Sequence, residues 1–161
     1  MSKQLSFEEY RPSIHNKEIY LFADGVRLIE NIAGLFRVAD AMGVRKIIFA
    51  VNKEEYNASK LKKISRATSQ RIPSDWGVSS GELHKYVPEK ALIIALEFTN
   101  DSRPVADLAL DIGNDSVVLV VGSEVKGVSS SMLNRADQLV HLPMYGRNSS
   151  MNVTIAAAMA L

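Results

Sequence analysis

The chain has 161 residues, a formal net charge of +1 and no cysteine, with 47% hydrophobic and 23% charged residues. This composition predicts one globular domain, here residues 1–161 with about the first 15 as an extension, and argues against a disordered or collagen-like chain. Without cysteine, a disulfide framework and a cysteine-ligated metal centre are both excluded. The longest apolar runs are too short to span a bilayer, and the N-terminus lacks the layout of a secretion signal. We therefore expect a cytoplasmic, soluble protein.

Short aliphatic runs alternate with helical patterns along the chain, which predicts an α/β fold with a mostly parallel sheet flanked by helices. In chain order we expect a strand at 19–23, a helix at 31–42 ended by Gly43, and strands at 47–51, 91–96 and 117–122. A helix at 129–136, a strand at 138–142 and a last helix capped by Ser149 or Ser150 complete the series.

The charged residues are unevenly distributed. Residues 1–80 contain 13 Lys or Arg and 9 Asp or Glu, whereas residues 81–161 contain 6 and 9. Within 60–71 there are five basic residues and no acidic one, namely Lys60, Lys62, Lys63, Arg66 and Arg71. A local cluster of this kind binds polyanions even in a nearly neutral chain, although a solvated helix face explains it equally well.

A glycine-bearing loop follows the strand predicted at 117–122. Gly122 and Gly127 have the spacing of a phosphate-binding P-loop, but Val128 stands where that motif requires lysine, and the Gly-x-Gly-x-x-Gly fingerprint of dinucleotide-binding proteins is absent. The loop carries Glu124 just beyond the carboxyl end of a buried strand, where α/β sheets bind ligands. A plain connection with an exposed glutamate is an equal alternative.

A second polar loop follows the strand predicted at 138–142. Its backbone groups need partners outside the sheet, and these partners are either a small polar molecule or water and helix caps. The three histidines, His15, His84 and His141, lack the spacing of metal ligands, and no Gly-x-Ser-x-Gly elbow is present. Neither a metal site nor a serine hydrolase triad is therefore predicted.

Three segments, taken in order, resemble the signature motifs of the SpoU–TrmH branch of the SPOUT RNA methyltransferases. The first, NIAGLFRVADAMGV, places Asn31 and Arg37 six residues apart on one predicted helix. The second is GSEVKGVS, which contains Glu124, and the third is LPMYG followed by SSMNV and an alanine run. The resemblance covers the chain from about residue 28 to its end.

The resemblance implies a SPOUT-type fold with a deep trefoil knot at the C-terminal end of the sheet, and a homodimer that completes the site. It also implies S-adenosylmethionine, bound in a bent form by the loops after three strands. Backbone groups would recognise the adenine while apolar side chains pack on it. On this pattern the cofactor-binding residues are Leu96, Glu97, Phe98, Gly122, Leu142, Met144 and Met151, with Thr99 in the same loop.

The reaction implied by the resemblance is transfer of the sulfonium methyl group to a ribose 2′-hydroxyl of RNA, with no metal. Arg37 matches the catalytic arginine of the family, but a guanidinium remains charged in proteins and has no acceptor atom, which makes it a poor general base. We therefore expect Arg37 to orient the hydroxyl through a phosphate or to stabilise charge on the oxygen. The residues that would hold Arg37 and the ribose–phosphate in register are Asn31, Glu124, Ser150 and Asn152. Without the other motifs, Asn31 and Ser150 would be interpreted as helix N-caps.

The chain stops at Leu161, within a helix that usually runs longer in the family, and only about 15 residues precede the first strand. The short last helix implies either a shortened chain or a dimer that closes differently. The short N-terminal part favours a compact transfer-RNA enzyme in which the cluster at 60–71 contacts phosphates. Ribosomal RNA is the alternative substrate, and a non-catalytic RNA-binding factor is the alternative function. The missing glycine fingerprint disfavours a nicotinamide-dependent oxidoreductase.

Overall fold

A parallel sheet organises the part of the chain that the computed structural model describes, which is residues 17–108 and 115–161 together with Glu9 and Ser13. Within these residues seven strands pair in the order β3-β2-β1-β6-β4-β7-β5, and every pair is parallel. The strands are β1 Glu18–Asp24, β2 Lys46–Phe49, β3 Ser74–Trp76, β4 Leu92–Leu96, β5 Arg103–Pro104, β6 Ser116–Gly122 and β7 Gln138–His141. His15 lies outside the described residues.

In the described residues, every helix but the last lies between two of these strands along the chain, and the last follows β7. The helices are α1 Ile29–Ala41, α2 Ala58–Ile64, α3 Thr68–Arg71, α4 Val105–Leu108, α5 Ser130–Leu133 and α6 Val153–Ala160, with short 3-10 segments at Lys53–Glu55 and Ser80–Lys85. The sequence-based prediction of a mostly parallel α/β sheet flanked by helices is therefore confirmed.

The centre of the sheet is formed by β1 and β6, which pair over seven residues from Glu18 opposite Ser116 to Asp24 opposite Gly122. Alternate residues of β1 enter opposite layers, because side chains of a strand point to the two faces in turn. Leu21 and Ala23 pack in the layer that contains α1, whereas Tyr20 and Phe22 pack in the other. Burial on both faces explains why these strands are continuous apolar runs.

All five predicted strands are present, with ends within two residues of the prediction. The two that the sequence did not predict, β3 and β5, are the edge strands, and they have only three and two residues. Their sequences, Ser-Asp-Trp and Arg-Pro, contain no aliphatic run. Pro104 has no backbone N–H, which restricts it to an edge position of this kind.

The predicted helices require three corrections. The last helix is capped by Asn152, whose side chain accepts a hydrogen bond from the Thr154 backbone N–H at 2.9 Å, so neither Ser149 nor Ser150 is its N-cap. Asn31 is not a cap either, because α1 already begins at Ile29. The predicted helix at 129–136 ends at Leu133. Gly43 follows α1 with a φ of 67°, a conformation that favours glycine, as predicted.

Candidate functional site

A cleft of about 540 Å³ opens at the carboxyl ends of β4, β6 and β7, where their following loops meet the start of α6. Its volume lies within the range of small-molecule sites. Eleven of the predicted catalytic and cofactor-binding residues line it: Asn31, Leu96, Glu97, Phe98, Gly122, Glu124, Leu142, Met144, Ser150, Met151 and Asn152. The structure therefore brings together three loops that are far apart in sequence. Thr99 is not among the lining residues.

The loop after β6 is closed on itself by its two glycines. Ser123 and Gly127 exchange two backbone hydrogen bonds of 3.0 Å, and Gly127 has a φ of 65°. A Cβ atom on Gly122 would overlap the backbone of Gly127 and Val128. Steric crowding within a tight turn, rather than phosphate binding, thus accounts for the glycine spacing that resembled a P-loop.

Glu97 connects the loop after β4 to the loop after β6. Its carboxylate accepts hydrogen bonds from the backbone N–H of Phe98 at 3.0 Å and of Val128 at 2.8 Å. A Cβ atom on Gly127 would collide with this carboxylate. Because both oxygens accept from backbone donors, Glu97 is suited to fixing two walls of the cleft relative to each other.

Three of the predicted catalytic residues form one chain of hydrogen bonds. The Asn31 side-chain amide donates to Glu124 Oε1 at 2.5 Å, and Asn31 Oδ1 accepts from the Asn152 amide at 2.9 Å. Asn31 is buried, and Asn152 also caps α6. Because Asn31 donates to one partner and accepts from the other, the orientation of its amide is fixed, and the chain links α1, the β6 loop and α6.

The close approach of α1 and α6 depends on Gly34, a residue without a predicted role. A Cβ atom at this position would lie 2.5 Å from Thr154 Cγ2. A larger residue would therefore separate the two helices and lengthen the hydrogen bond between Asn31 and Asn152. The available signal in the sequence is a glycine inside an otherwise regular helical pattern, which indicates a close packing contact.

Arg37 and Ser150 are placed differently from these three residues. Ser150 is exposed at the mouth of the cleft. Arg37 is exposed on α1, does not line the cleft, and has no side-chain hydrogen bond or ion pair among the described residues. It follows Gly34 by three residues, so its guanidinium leaves α1 near the face that packs on α6.

The predicted basic cluster forms α2, a turn and α3, and all five of its cations are exposed. Two are paired with carboxylates of α1: Lys60 with Glu30 at 3.4 Å and Arg71 with Asp40 at 3.1 Å. Lys62, Lys63 and Arg66 have no ion pair in the described part of the chain. The cluster therefore presents three uncompensated charges rather than five.

The turn between α2 and α3 has an unusual backbone. Arg66 and Ala67 have φ angles of 52° and 63°, which non-glycine residues adopt at a cost of about 1 kcal/mol each. Ser65 is fully buried beneath them, and its hydroxyl donates to the Lys62 carbonyl at 3.2 Å. Thr68, also buried, donates to the Ser65 carbonyl at 2.6 Å. These buried hydrogen bonds hold Arg66 outward.

Two of the remaining candidate groups, His84 and His141, have hydrogen-bond partners in the protein. His84 contacts the Gly81 carbonyl at 3.0 Å, and His141 contacts the Ser102 hydroxyl at 2.9 Å. Within the described ranges, no three His, Cys, Asp or Glu side chains are grouped as metal ligands would be. Among the same residues, no helix has the length and apolar character to cross a membrane.

Comparison with known proteins shows what this arrangement is similar to. The profile of the SpoU rRNA Methylase family matches residues 18–161. A tRNA (guanosine(18)-2′-O)-methyltransferase of Aquifex aeolicus is 30% identical over 90% of this chain and 67% of its own length. A 23S rRNA (guanosine-2′-O-)-methyltransferase of Neisseria meningitidis is 26% identical over 96% of this chain and 60% of its own length. The chain thus spans about two thirds or less of these relatives.

Solved structures give the same result. A TrmH/SpoU tRNA modifying enzyme of A. aeolicus superposes with a TM-score of 0.76 and 25% identity, over 89% of this chain and 72% of the other. An rRNA methyltransferase of Sinorhizobium meliloti, crystallised with AdoMet bound, superposes with a TM-score of 0.74 and 25% identity, over 94% of this chain and 59% of the other.

Proposed function

Because the chain belongs to the SpoU rRNA methylase family, we propose that it transfers a methyl group from S-adenosylmethionine to a ribose 2′-hydroxyl of RNA. The observation that carries the proposal is the cleft at the ends of β4, β6 and β7. It gathers eleven residues that the family resemblance implies, and three of them are linked by hydrogen bonds.

The cleft fits this cofactor by its size and by its walls. Leu96, Leu142, Met144 and Met151 provide apolar surface for an adenine, while the loops provide backbone donors and acceptors for its edge. When bound, S-adenosylmethionine supplies a methyl group on a sulfonium, a leaving group that needs no metal. Glu97 and the two glycines hold two of the walls, the loops after β4 and β6, in place.

The polar residues would position the RNA. The Glu124–Asn31–Asn152 chain presents the exposed Glu124 carboxylate and Asn152 amide in the cleft, which Ser150 also lines. The Arg37 guanidinium is a cation with five N–H donors and no acceptor, so it can donate hydrogen bonds but cannot take up a proton. We assign it the orientation of a phosphate or the stabilisation of negative charge on the attacking oxygen, and not the removal of a proton.

A homodimer is part of the proposal. Ile155 and Met159 lie one turn apart on α6 and are 54% and 59% exposed, which is unusual for large apolar side chains that follow one another on a helix. A second copy of the chain packed on this face would cover them. It would also bring Arg37, on the adjacent helix α1, to the border of the interface. The implied C-terminal knot is likewise a proposal, supported by the membership of the family.

For the substrate, we propose transfer RNA. The uncompensated cations Lys62, Lys63 and Arg66 lie within the same domain as the cleft, so phosphate contacts do not require an additional domain. Ribosomal RNA is the second candidate, favoured by the similarity to the Neisseria enzyme. Incubation with radiolabelled S-adenosylmethionine and separately purified tRNA and rRNA pools distinguishes the two.

Calorimetric titration of the purified chain with S-adenosylhomocysteine tests the activity class without knowledge of the RNA. Saturable binding near one site per chain is the expected result. Absence of binding in a protein shown to be folded and dimeric would contradict the methyltransferase assignment and favour a non-catalytic RNA-binding role. The same titration with NADH, which we expect not to bind, excludes a nicotinamide-dependent enzyme.

A further inference from the structure

A second cleft, of about 290 Å³, lies between α2, α3 and the edge of the sheet formed by β3. None of its lining residues belongs to the cleft described above. One wall is aromatic and the rim is basic, and no Asp or Glu of the described residues lines it. The residues that define its chemistry are Phe36, Lys53, Tyr56, Ser59, Lys62 and Trp76.

The aromatic wall is rigid because Trp76 is held from two sides. Its ring stacks on Phe49 with centroids 4.1 Å apart and planes inclined by 21°, and its indole N–H donates to the Ser74 hydroxyl at 3.0 Å. Tyr56 and Phe36 complete the cluster at centroid distances of 5.9 and 6.3 Å. The surface of Trp76 that Phe49 leaves uncovered therefore has a fixed position at the cleft.

The rim of the cleft carries two lysines, and no carboxylate of the described residues lines it. Lys53 and Lys62 are exposed and have no ion pair in the described part of the chain, and Lys63 and Arg66 extend the charge along α2. Burial raises the pKa of Tyr56, so its phenol is neutral and adds no negative charge. Side chains of Ser59, Ser69 and Gln70 supply hydrogen-bonding groups between the aromatic wall and the lysines.

We propose that this cleft binds one nucleotide of the RNA substrate, with the base against Trp76 and the neighbouring phosphates on Lys53 and Lys62. Base–aromatic stacking beside a basic groove is the usual physical basis of single-stranded RNA binding. The volume suits a single base rather than a larger ligand. The inference rests on the proposed function, because it takes RNA as the substrate, and it gives that RNA a second point of attachment.

Trp76 is the only tryptophan of the sequence, so the intrinsic tryptophan fluorescence of the full chain reports on this cleft directly. The probe is a short single-stranded RNA, end-labelled for fluorescence anisotropy and unlabelled for fluorescence quenching. We expect the unlabelled RNA to quench Trp76 saturably, over the concentration range in which anisotropy detects binding. Ribose 5-phosphate, which has the phosphate and no base, should leave the emission unchanged.

Two variants test the cleft without removing core residues. Ser59→Phe fills its mouth from an exposed position on α2, and Lys62→Gln removes one rim charge. Each should weaken RNA binding, by about tenfold for the loss of stacking and less for the loss of one charge. Lys85→Gln is the control for a lysine away from the cleft, because Lys85, which pairs with Glu82 at 3.1 Å, is exposed on the 3-10 segment Ser80–Lys85 in the opposite layer. All three should bind S-adenosylhomocysteine like the parent chain.

The outcomes separate this inference from the function on which it rests. RNA binding with unchanged Trp76 emission and full affinity in Ser59→Phe would overturn the nucleotide site and leave the methyltransferase assignment intact. Equal quenching by ribose 5-phosphate would show a phosphate site without a base site, which also overturns the inference. A folded chain that binds neither RNA nor S-adenosylhomocysteine would overturn both.

Discussion

The cleft at the ends of β4, β6 and β7 and the α2–α3 face use polar side chains in opposite ways. In the first, Glu97, Asn31 and Asn152 are bound to other groups of the protein, so their positions are fixed before a ligand arrives. On the second, Lys62, Lys63 and Arg66 are exposed and have no ion pair in the described residues. Fixed groups suit chemistry that requires accurate positioning, whereas free cations adapt to a flexible polyanion.

The largest expected effect follows from substituting Gly122, at the start of the loop after β6. Gly122→Ala places a Cβ atom in the backbone of Gly127 and Val128, so the β6 loop must change its path. We expect loss of S-adenosylhomocysteine binding in calorimetry, together with a lower melting temperature. Gly146→Ala is the matched control, since a Cβ atom there meets nothing within 4 Å. Equal behaviour of the two variants would contradict the steric explanation.

Substitution of Arg37 tests whether the rate of methyl transfer can be lowered without a change in cofactor affinity. Because Arg37 is exposed and does not line the cleft, Arg37→Ala should preserve folding and S-adenosylhomocysteine affinity. The rate of methyl transfer should fall by about a hundredfold or more, as when other charge-stabilising groups are removed. Arg135→Ala, at another exposed arginine, should retain full activity. A cofactor affinity that falls as far as the rate would exclude the proposed role.

The α2–α3 face is tested by the salt dependence of RNA binding. Reversal of Lys62, Lys63 and Arg66 to Glu should weaken RNA binding and flatten the plot of log affinity against log salt concentration. The slope should change by about 0.7 to 0.9 for each phosphate that the protein no longer neutralises. The double variant Lys60→Gln/Arg71→Gln should have a smaller effect, because α1 carboxylates already pair with these residues. If the slope of the triple variant is unchanged, this face does not bind RNA.

The smallest expected effect concerns stability. Ala67→Gly removes the cost of a left-handed alanine, so the free energy of unfolding should rise by up to about 1 kcal/mol. Ala58→Gly, in the first turn of α2, should lower the free energy of unfolding by a similar or smaller amount. Denaturant titration measures both. A destabilised Ala67→Gly would mean that the turn is not strained.

The difference between the buried centre of the sheet and its short peripheral elements explains which features could be predicted from the sequence. Strands such as β1 and β6 are buried on both faces, and their continuous aliphatic runs identify them. The edge strands and the polar helices α2 and α3 lack such a signal, because short elements are stabilised mainly by their neighbours. The family resemblance indicated eleven of the twenty residues lining the cleft between β4, β6 and β7, but it could not show that Arg37 lies outside it.

Contacts between segments that are far apart along the chain could not be predicted from the sequence. The role of Gly34 depends on Thr154, which is far along the chain and adjacent only after α1 and α6 have packed. Trp76 and Lys53 similarly belong to separate segments, and nothing in the spacing of the aromatic or basic residues indicates that they share a cleft. Both features follow from the tertiary structure and not from local pattern.

The bridge formed by Glu97 has a kinetic consequence. The loops after β4 and β6 are joined through this carboxylate and through the pairing of the two strands, so we expect them to move as a unit. The third wall, residues 142–151, makes no hydrogen bond to the other described residues, and positions 145–150 are all exposed. Exchange of bound product for fresh cofactor is therefore expected to follow the opening of this third wall, and substitutions there should alter the dissociation rate before they alter the affinity.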